Sequence, residues 1–592
     1  MKTPPSNPPP LETVLHRPFP WKQGFTCQKE VLCVTALLLF QLGICLHAAF
    51  SESVTHDEIW HLPVGMRNLR EGRFDVERVN PPLTRLWAAI PAVLCGIEAD
   101  PHTSGQPLGE KFVLDHPYNF MTWYQLGRCC HLVWTLATGV MVYLWGRRCF
   151  GVPAALLSLV FFVTSPNIAG YGSVITPDAG GMFGYLATLY ALCCWCDRPT
   201  WSRGVLWGVS LGIAQGLKMT CLLLYPLCMV VILIQRWKCI RHSLASGKII
   251  VLQIVMGMAV SLLALWASYG FQQIGQPLDQ FHFQSRQMLT IQNLLSSVSR
   301  VPVPFPRDYL LGIDEQLRVM AGQHPVFLDG EWSLDGFRRY FLMTLLYKLP
   351  HLLQLCLGIA LIFFLLTRNG RAYWRDTLTL LVPSLLTIQV ASGESLQLGI
   401  RYILPVIPML MILSGGIILL VDQLNPSIQK MFWGIIVAGS LLSLRYLPGH
   451  LAYFNEWAGG PMGGRHHLLD SNLDWGQDLG HLRDELQARK LDRIQLAYFG
   501  TVPPQVVGIV YELPPSWKPE PGWYAVSVNF VMGRPHGITQ GDGSSRAVDF
   551  QEFGYFRFFR PVKTLGGSID LYEIRPEDIA RWNAARHEQM GD

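Results

Sequence analysis

Charge is what this chain has least of. Only 15% of its 592 residues are Asp, Glu, Lys or Arg, against about 25% in an ordinary soluble domain. Half of the residues are hydrophobic and mean hydropathy is positive, which argues against a soluble or disordered chain. Cysteine is missing after Cys356, so the C-terminal part is not a disulfide scaffold. No Gly-rich phosphate loop follows a strand and no P-loop motif occurs, so no nucleotide site is visible. No basic patch interleaved with aromatics suggests nucleic acid; the formal charge of +5 is spread over loops. No internal repeat of the kind common in transporters is present.

What is there is a series of long apolar runs, the mark of a polytopic membrane protein. Spans are expected at 30–50, 128–146, 152–169, 179–196, 204–217, 219–235, 249–270, 341–366, 377–391, 401–421 and 431–447, about 11 in all. The run 83–97 reads as an interfacial or re-entrant segment. With that assignment the cytoplasmic loops hold Arg147, Arg148, Arg198, Arg203, Arg368, Arg371 and Arg375, while the short opposite loops 170–178 and 392–400 hold no Lys or Arg. A full crossing at 83–97 would reverse that bias. The loops 51–127 and 271–340 and the tail then lie outside the cytoplasm.

The expected organisation is a cytoplasmic N-terminus over 1–29, Pro-rich and disordered, then a membrane domain over 30–449. A soluble α/β or α+β domain over 450–592 lies on the extracytoplasmic side. There "IQLAYFG", "GWYAVSVNF" and "SIDLYEI" read as strands and "DLGHLRDELQAR" as an amphipathic helix. The first span reads as a retained anchor, since no small-residue cleavage site follows it. Cys193, Cys194 and Cys196 in "CCWC" are expected to pack as small apolar groups.

Against this apolar background the stretch "THDEIWH", Thr55 to His61, packs two carboxylates and two histidines into one outer-loop segment. A zincin helix needs histidines four apart; His56 and His61 are five apart and diverge by about 140° on a helix. Asp57 and His61 form the pair that shares a face. The bland alternative is a polar loop with Thr55 as helix N-cap. Other charges gather on the same side: Asp178 at an outer span end, Lys218 in a short turn, Lys348 in "LLYKLP", and Glu394, Arg401 and Tyr402 in "SGESLQLGIRYILP". Charges at membrane depth are costly and point to function, although snorkelling or capping accounts for any one of them. Together they suggest an anionic headgroup held by cations beside a carboxylate base.

These residues resemble GT-C-type glycosyltransferases, of the protein O-mannosyltransferase-like and lipid A aminoarabinose transferase-like group. The motifs are "DE" followed by "NPPL" (80–83), "TPDAGGMFGYLATLYAL", "GLKMTCLLLYP", "GEWSLDGFRRYFLMTLLYKLP", "LGIRYILPVIP" and "YFNEWAGGPMGGRHHLLDSNLDWGQDL", in that order. The resemblance implies a polyprenyl-phosphate-sugar donor, Asp57 as catalytic base, Glu58 as its organiser and Asp178 as a second acidic group. Tyr402 falls at the lipid phosphate with Arg401 beside it, and Arg286 in "HFQSRQ" falls at a phosphate-binding arginine. The family's lysine before "PPL" is replaced by Asn80, so Lys218, Lys348 or Arg401 would supply that charge. The last motif resembles a bacterial branch and points to the bacterial cytoplasmic (inner) membrane over the ER membrane. "DSNLDWGQD" mimics the start of a calcium loop, but its Gly is one position late and His481 stands where Glu belongs; turn and helix-cap chemistry is expected there.

The reading is an inverting transferase, without cofactor or metal. It moves a sugar from a lipid-phosphate carrier to an acceptor hydroxyl on protein, lipid or glycan. The rivals are a lipid or polyprenyl-sugar transporter or flippase, and a non-catalytic membrane scaffold.

Overall fold

The computed structural model describes residues 27–242, 247–446, 449–540 and 544–590; the expected N-terminal tail over 1–29 lies, up to residue 26, outside them. The protein is mostly helical. Among the described residues six helices are long and apolar enough to cross a membrane: Gln28–Ser51, Phe120–Phe150, Pro177–Asp197, Met219–Arg236, Lys248–Ser268 and Pro426–Tyr446. Counting two bent helix pairs as one span each gives 8. The chain is a multi-pass membrane protein.

Several expected spans are not straight rods. The 341–366 run is two helices, Tyr340–Lys348 and His351–Leu366, meeting at 117°. Pro350 explains the break: it has no N–H to give the helix and pushes the residue before it out of the α region. Leu349 is accordingly extended, at φ −85° and ψ 139°. The 152–169 run bends by 61° between Val152–Val163 and Pro166–Gly172 for the same reason. The expected 401–421 span is a short turn at Ile400–Ile403 followed by helices Val406–Gly415 and Ile418–Val421. The 83–97 run forms a helix over Leu83–Leu94, about 18 Å long and too short to cross a bilayer core. It lays Ala88, Ala89 and Ala92 against its neighbours.

The tail builds a five-stranded mixed sheet. We label its strands β3 (Ile494–Ala497), β4 (Tyr511–Glu512), β5 (Gly522–Ser527), β8 (Lys563–Leu565) and β9 (Ile569–Ile574). The pairs β1 (Val326–Leu328) with β2 (Glu331–Ser333), and β6 (His536–Thr539) with β7 (Ser545–Val548), stand apart. The order is β4-β3-β5-β9-β8; β3 runs parallel to β4 and β5, and β9 antiparallel to β5. Side chains alternate between the two faces of a strand, and both faces are covered. Ala525 packs with Ile59, Leu62, Ala88 and Tyr124 of the first outer loop and its flanking helix. Tyr524 and Val526 pack with Phe499, Phe530 and Phe556 on the other face. Ile59 of "THDEIWH" and the sheet thus share one buried apolar cluster. The segment 450–478 belongs to the helical side of this junction: Leu451, Phe454, Leu468, Leu473 and Trp475 join the main core of the membrane helices.

Candidate functional site

Three loops meet where the sheet touches the helices. The backbone of 53–56 is pinned to "DSNLDWGQD": Ser53 N–H donates to Gln477 O at 2.9 Å and His56 N–H to Trp475 O at 2.7 Å. The same segment pins the loop before Tyr402. Asn472 Oδ1 accepts from Ile400 N–H at 3.0 Å, and Ser471 Oγ donates to Leu398 O. Gly399 is needed there: it has φ +139°, and a Cβ would lie 2.7 Å from Ser471 Oγ. Asp57 and Arg401, 344 positions apart, are thereby brought face to face. Arg401 Nη1 donates to Asp57 Oδ2 at 2.5 Å and its guanidinium lies 4.4 Å over the Trp475 ring and 5.3 Å over that of Tyr402.

The second ion pair is Lys218 with Asp178, at 2.5 Å. Asp178 lies in the first turn of Pro177–Asp197, and its other oxygen accepts from Thr176 Oγ1 at 3.1 Å. Lys218 ends the helix Trp201–Leu217 in extended conformation. Gly181 makes room for it, since a Cβ there would meet the Lys218 chain at 2.7 Å. Lys218 Nζ also approaches Arg401 O at 3.4 Å and the Tyr402 ring at 5.9 Å. Asp57, Arg401, Lys218, Asp178 and Tyr402 are thus one cluster. Its two carboxylates balance its two cations. Asp57 keeps 22% of its side chain exposed, against 3% for Asp178, so Asp57 is the carboxylate a ligand can reach. Burial pushes its carboxyl up, but Arg401 and His56 outweigh burial and hold it well below the usual carboxylate range.

Glu58 plays a different part. It is fully buried and takes both branches of Arg128, at 2.7 and 2.6 Å. It also accepts the N–H groups of Ile175 and Thr55, at 2.9 and 3.1 Å. These four donors leave its carboxylate no free lone pair for chemistry. Thr55 is not the expected side-chain cap: Asp57 holds the N-cap position of Glu58–Glu71, and Thr55 Oγ1 has no partner. Instead Thr55 N–H donates to Glu58 Oε2 at 3.1 Å. His61 is buried beside Glu77, Arg85, Asp57 and Asp178, and burial lowers its pKa. Asn80 binds Glu77, which also pairs with Arg85.

Two expected cations lie elsewhere. Lys348 is fully buried, and Nζ donates to Leu451 O and Asn472 O at 3.0 and 2.6 Å. It ties 450–478 into the helical core and leaves no face for a phosphate. Arg286 is exposed at the start of Arg286–Leu294 and forms no ion pair with the cluster. Sequence reasoning missed Arg128, His56, Trp475 and His536. The signal for His56 and Trp475 was their place inside quoted polar motifs; Arg128 showed as a lone charge at the head of an apolar run; His536 had none.

The calcium-like residues are engaged otherwise: Asp470 with Arg534 at 2.5 Å, Asn472 with Ile400, and Asp474 with Gly476 N–H at 2.9 Å and Ser527 Oγ. Among the described residues no three His, Cys, Asp or Glu side chains converge as a metal site. Beside Tyr402 opens a groove of about 190 Å³, lined mostly by apolar side chains such as Met219, Leu222, Leu223, Val390 and Ala391, with Gln316 and Glu394 also on its wall. A larger cleft, about 890 Å³, between His351–Leu366 and Pro426–Ser443 contains none of these charges.

Residues 124–265, which carry Arg128, Asp178 and Lys218, match the family model of dolichyl-phosphate-mannose-protein mannosyltransferase. The match covers less than half of the chain. No curated protein sequence matches the chain. Among solved structures, apo ArnT from Cupriavidus metallidurans is similar at 16% identity and TM-score 0.45, covering 69% of this chain and 62% of its own. This chain thus spans under two thirds of that protein. ArnT bound to undecaprenyl phosphate gives 12% identity and TM-score 0.47, over 86% and 94% of the two chains. The Saccharomyces cerevisiae Pmt1-Pmt2 complex bound to the sugar donor gives 21% and 0.34, over 42% and 34%. The matched residues 124–265 carry one ion pair of the cluster, Lys218 with Asp178; Asp57 and Arg401 lie outside them.

Proposed function

We propose that this protein transfers a sugar from a polyprenyl-phosphate carrier to an acceptor hydroxyl on the extracytoplasmic face of its membrane, with Asp57 as general base. The observation that carries this is the joined cluster of two carboxylates and two cations, whose Tyr402 also lines a largely apolar groove. The groove suits the carrier's isoprenoid chain, and Arg401 and Lys218 suit its phosphate. We take eleven crossings and a bacterial cytoplasmic membrane as the working topology.

In the resting cluster both cations are spent on carboxylates. A lipid phosphate entering between them competes for Arg401 and Lys218. Asp57 then loses the partner that suppresses its basicity, and the base is strengthened when the donor is in place. The acceptor O–H proton passes to Asp57 as its oxygen attacks the anomeric carbon. The bond to phosphate oxygen breaks, and the leaving phosphate keeps the electron pair, stabilised by Arg401 and Lys218. Asp178 holds Lys218 in place between turnovers.

The test uses purified full chain with labelled polyprenyl-phosphate sugars and membrane extract as acceptor source. Wild type is expected to move label from at least one donor, and Asp57→Asn to lose about 10²–10⁴-fold in rate. An Asp57→Asn protein with wild-type rate would remove Asp57 from the chemistry. Labelled carrier crossing a vesicle without sugar transfer would favour a flippase.

A further inference from the structure

Asp57 has a second neighbour besides Arg401. His56 Nδ1 lies 3.2 Å from Asp57 Oδ1, and His56 Nε2 lies 3.2 Å from His536 Nε2 on β6. A carboxylate only accepts, so His56 must carry its proton on Nδ1. A neutral His56 then presents a bare Nε2, and the nitrogen facing it must donate. His536 therefore bears its proton on Nε2. We infer that His536 fixes the tautomer of His56 and, through it, the orientation of the Asp57 carboxylate, so that the C-terminal part of the chain supplies a positioning residue to the active site. This rests on the reading of Asp57 as base.

The surroundings make the pair a built contact. The Phe499 ring lies 4.5 Å from that of His536 and 5.7 Å from that of His56, and Trp60 meets His56 edge-on at 6.0 Å. Thr501 Oγ1 donates to His56 O at 2.9 Å. The charged groups around the pair are Asp57, Arg401 beyond it, and Arg534, which sits 5.5 Å over Phe499. Burial is the largest influence on His536 and lowers its pKa well below the usual imidazole value. When a lipid phosphate draws Arg401 away, the His56 Nδ1–H bond is what remains to hold Asp57 in its rotamer. Such outer hydrogen bonds set tautomer and orientation wherever an imidazole supports a reacting group.

The experiment compares wild type, Asp57→Asn, His536→Ala and His536→Gln as full chains, with the donor that wild type uses. His536→Ala should lose roughly 10–100-fold in kcat with donor KM unchanged. His536→Gln restores an N–H donor and should recover most of kcat. Equal melting temperatures for the two variants separate this role from folding. Full activity in His536→Ala beside a dead Asp57→Asn overturns the inference and leaves the transferase reading standing. Equal loss in His536→Gln and His536→Ala also overturns it. Loss on chelation, restored by added zinc, would make the two imidazoles metal ligands instead. A wild type that moves no sugar from any donor overturns the transferase reading and this inference with it.

Discussion

At the scale of single residues, the site is defined by which charges can let go of their partners. Glu58 cannot: four donors saturate it. Asp57 has two partners, Arg401 and His56, and stays partly open. "DE" in the sequence marked both, but only the fold distinguishes the partly open carboxylate from the saturated one, because the distinction depends on Arg128 and Ile175 from distant elements. Lys348 shows the converse. A lysine in an apolar run reads as a ligand for phosphate, yet two backbone carbonyls, invisible in sequence, already satisfy it.

Asp474 gives a residue-scale prediction about stability. It is fully buried, and burial raises its carboxyl to about 7 despite bonds from Ser527 and Gly476. The unfolded chain ionises near pH 3.9. Between that value and about 7 the folded state holds a proton the unfolded state has lost, so the contribution falls as pH rises through this window and levels off above it. Asp474→Asn keeps both partners without an ionisable group. Its melting temperature should gain on wild type as pH goes from 5 to 8; a constant difference across that range would contradict the assignment.

At the scale of elements, the helices follow the apolar runs, and the two bent pairs each have a proline at the start of their second helix. The apolar runs and the tail strands were legible because burial enforces their periodicity. The breaks within 341–366 and 152–169 were less so, since proline inside a membrane run either kinks or stops a helix. Close packing was also hidden. Gly181 matters only because Lys218 passes it, and "PDAGG" alone does not say which side chain does. Gly181→Val should push Lys218 away from Asp178 and cost about 10-fold or more in kcat/KM for the donor. Helical content by circular dichroism should be unchanged. Wild-type kcat/KM in that variant would show that the Lys218–Asp178 pair is dispensable.

At the scale of the whole molecule, the C-terminal sheet and the membrane helices form one machine rather than two appended parts. The segment 450–478 is the joint: Lys348 grips it from the helices, Trp475 covers Arg401, and its backbone pins "THDEIWH". Composition drew the boundary at 450 because polarity changes there. Beyond it, apolar side chains from Leu451 to Trp475 pack in the core of the membrane helices. The cluster was therefore only half legible: motif order indicated Asp57, Asp178, Lys218 and Arg401, while nothing in sequence brought His536 to them.

The central claim is a single displacement, in which a hydroxyl deprotonated by Asp57 attacks the anomeric carbon opposite the departing phosphate. The measurement that tests it most directly is the anomeric configuration of the sugar in the product, read by NMR from a donor of known configuration. The account predicts inversion in every product molecule. Retention would contradict it, because retention needs a covalent sugar–enzyme intermediate and would turn Asp57 from base into nucleophile.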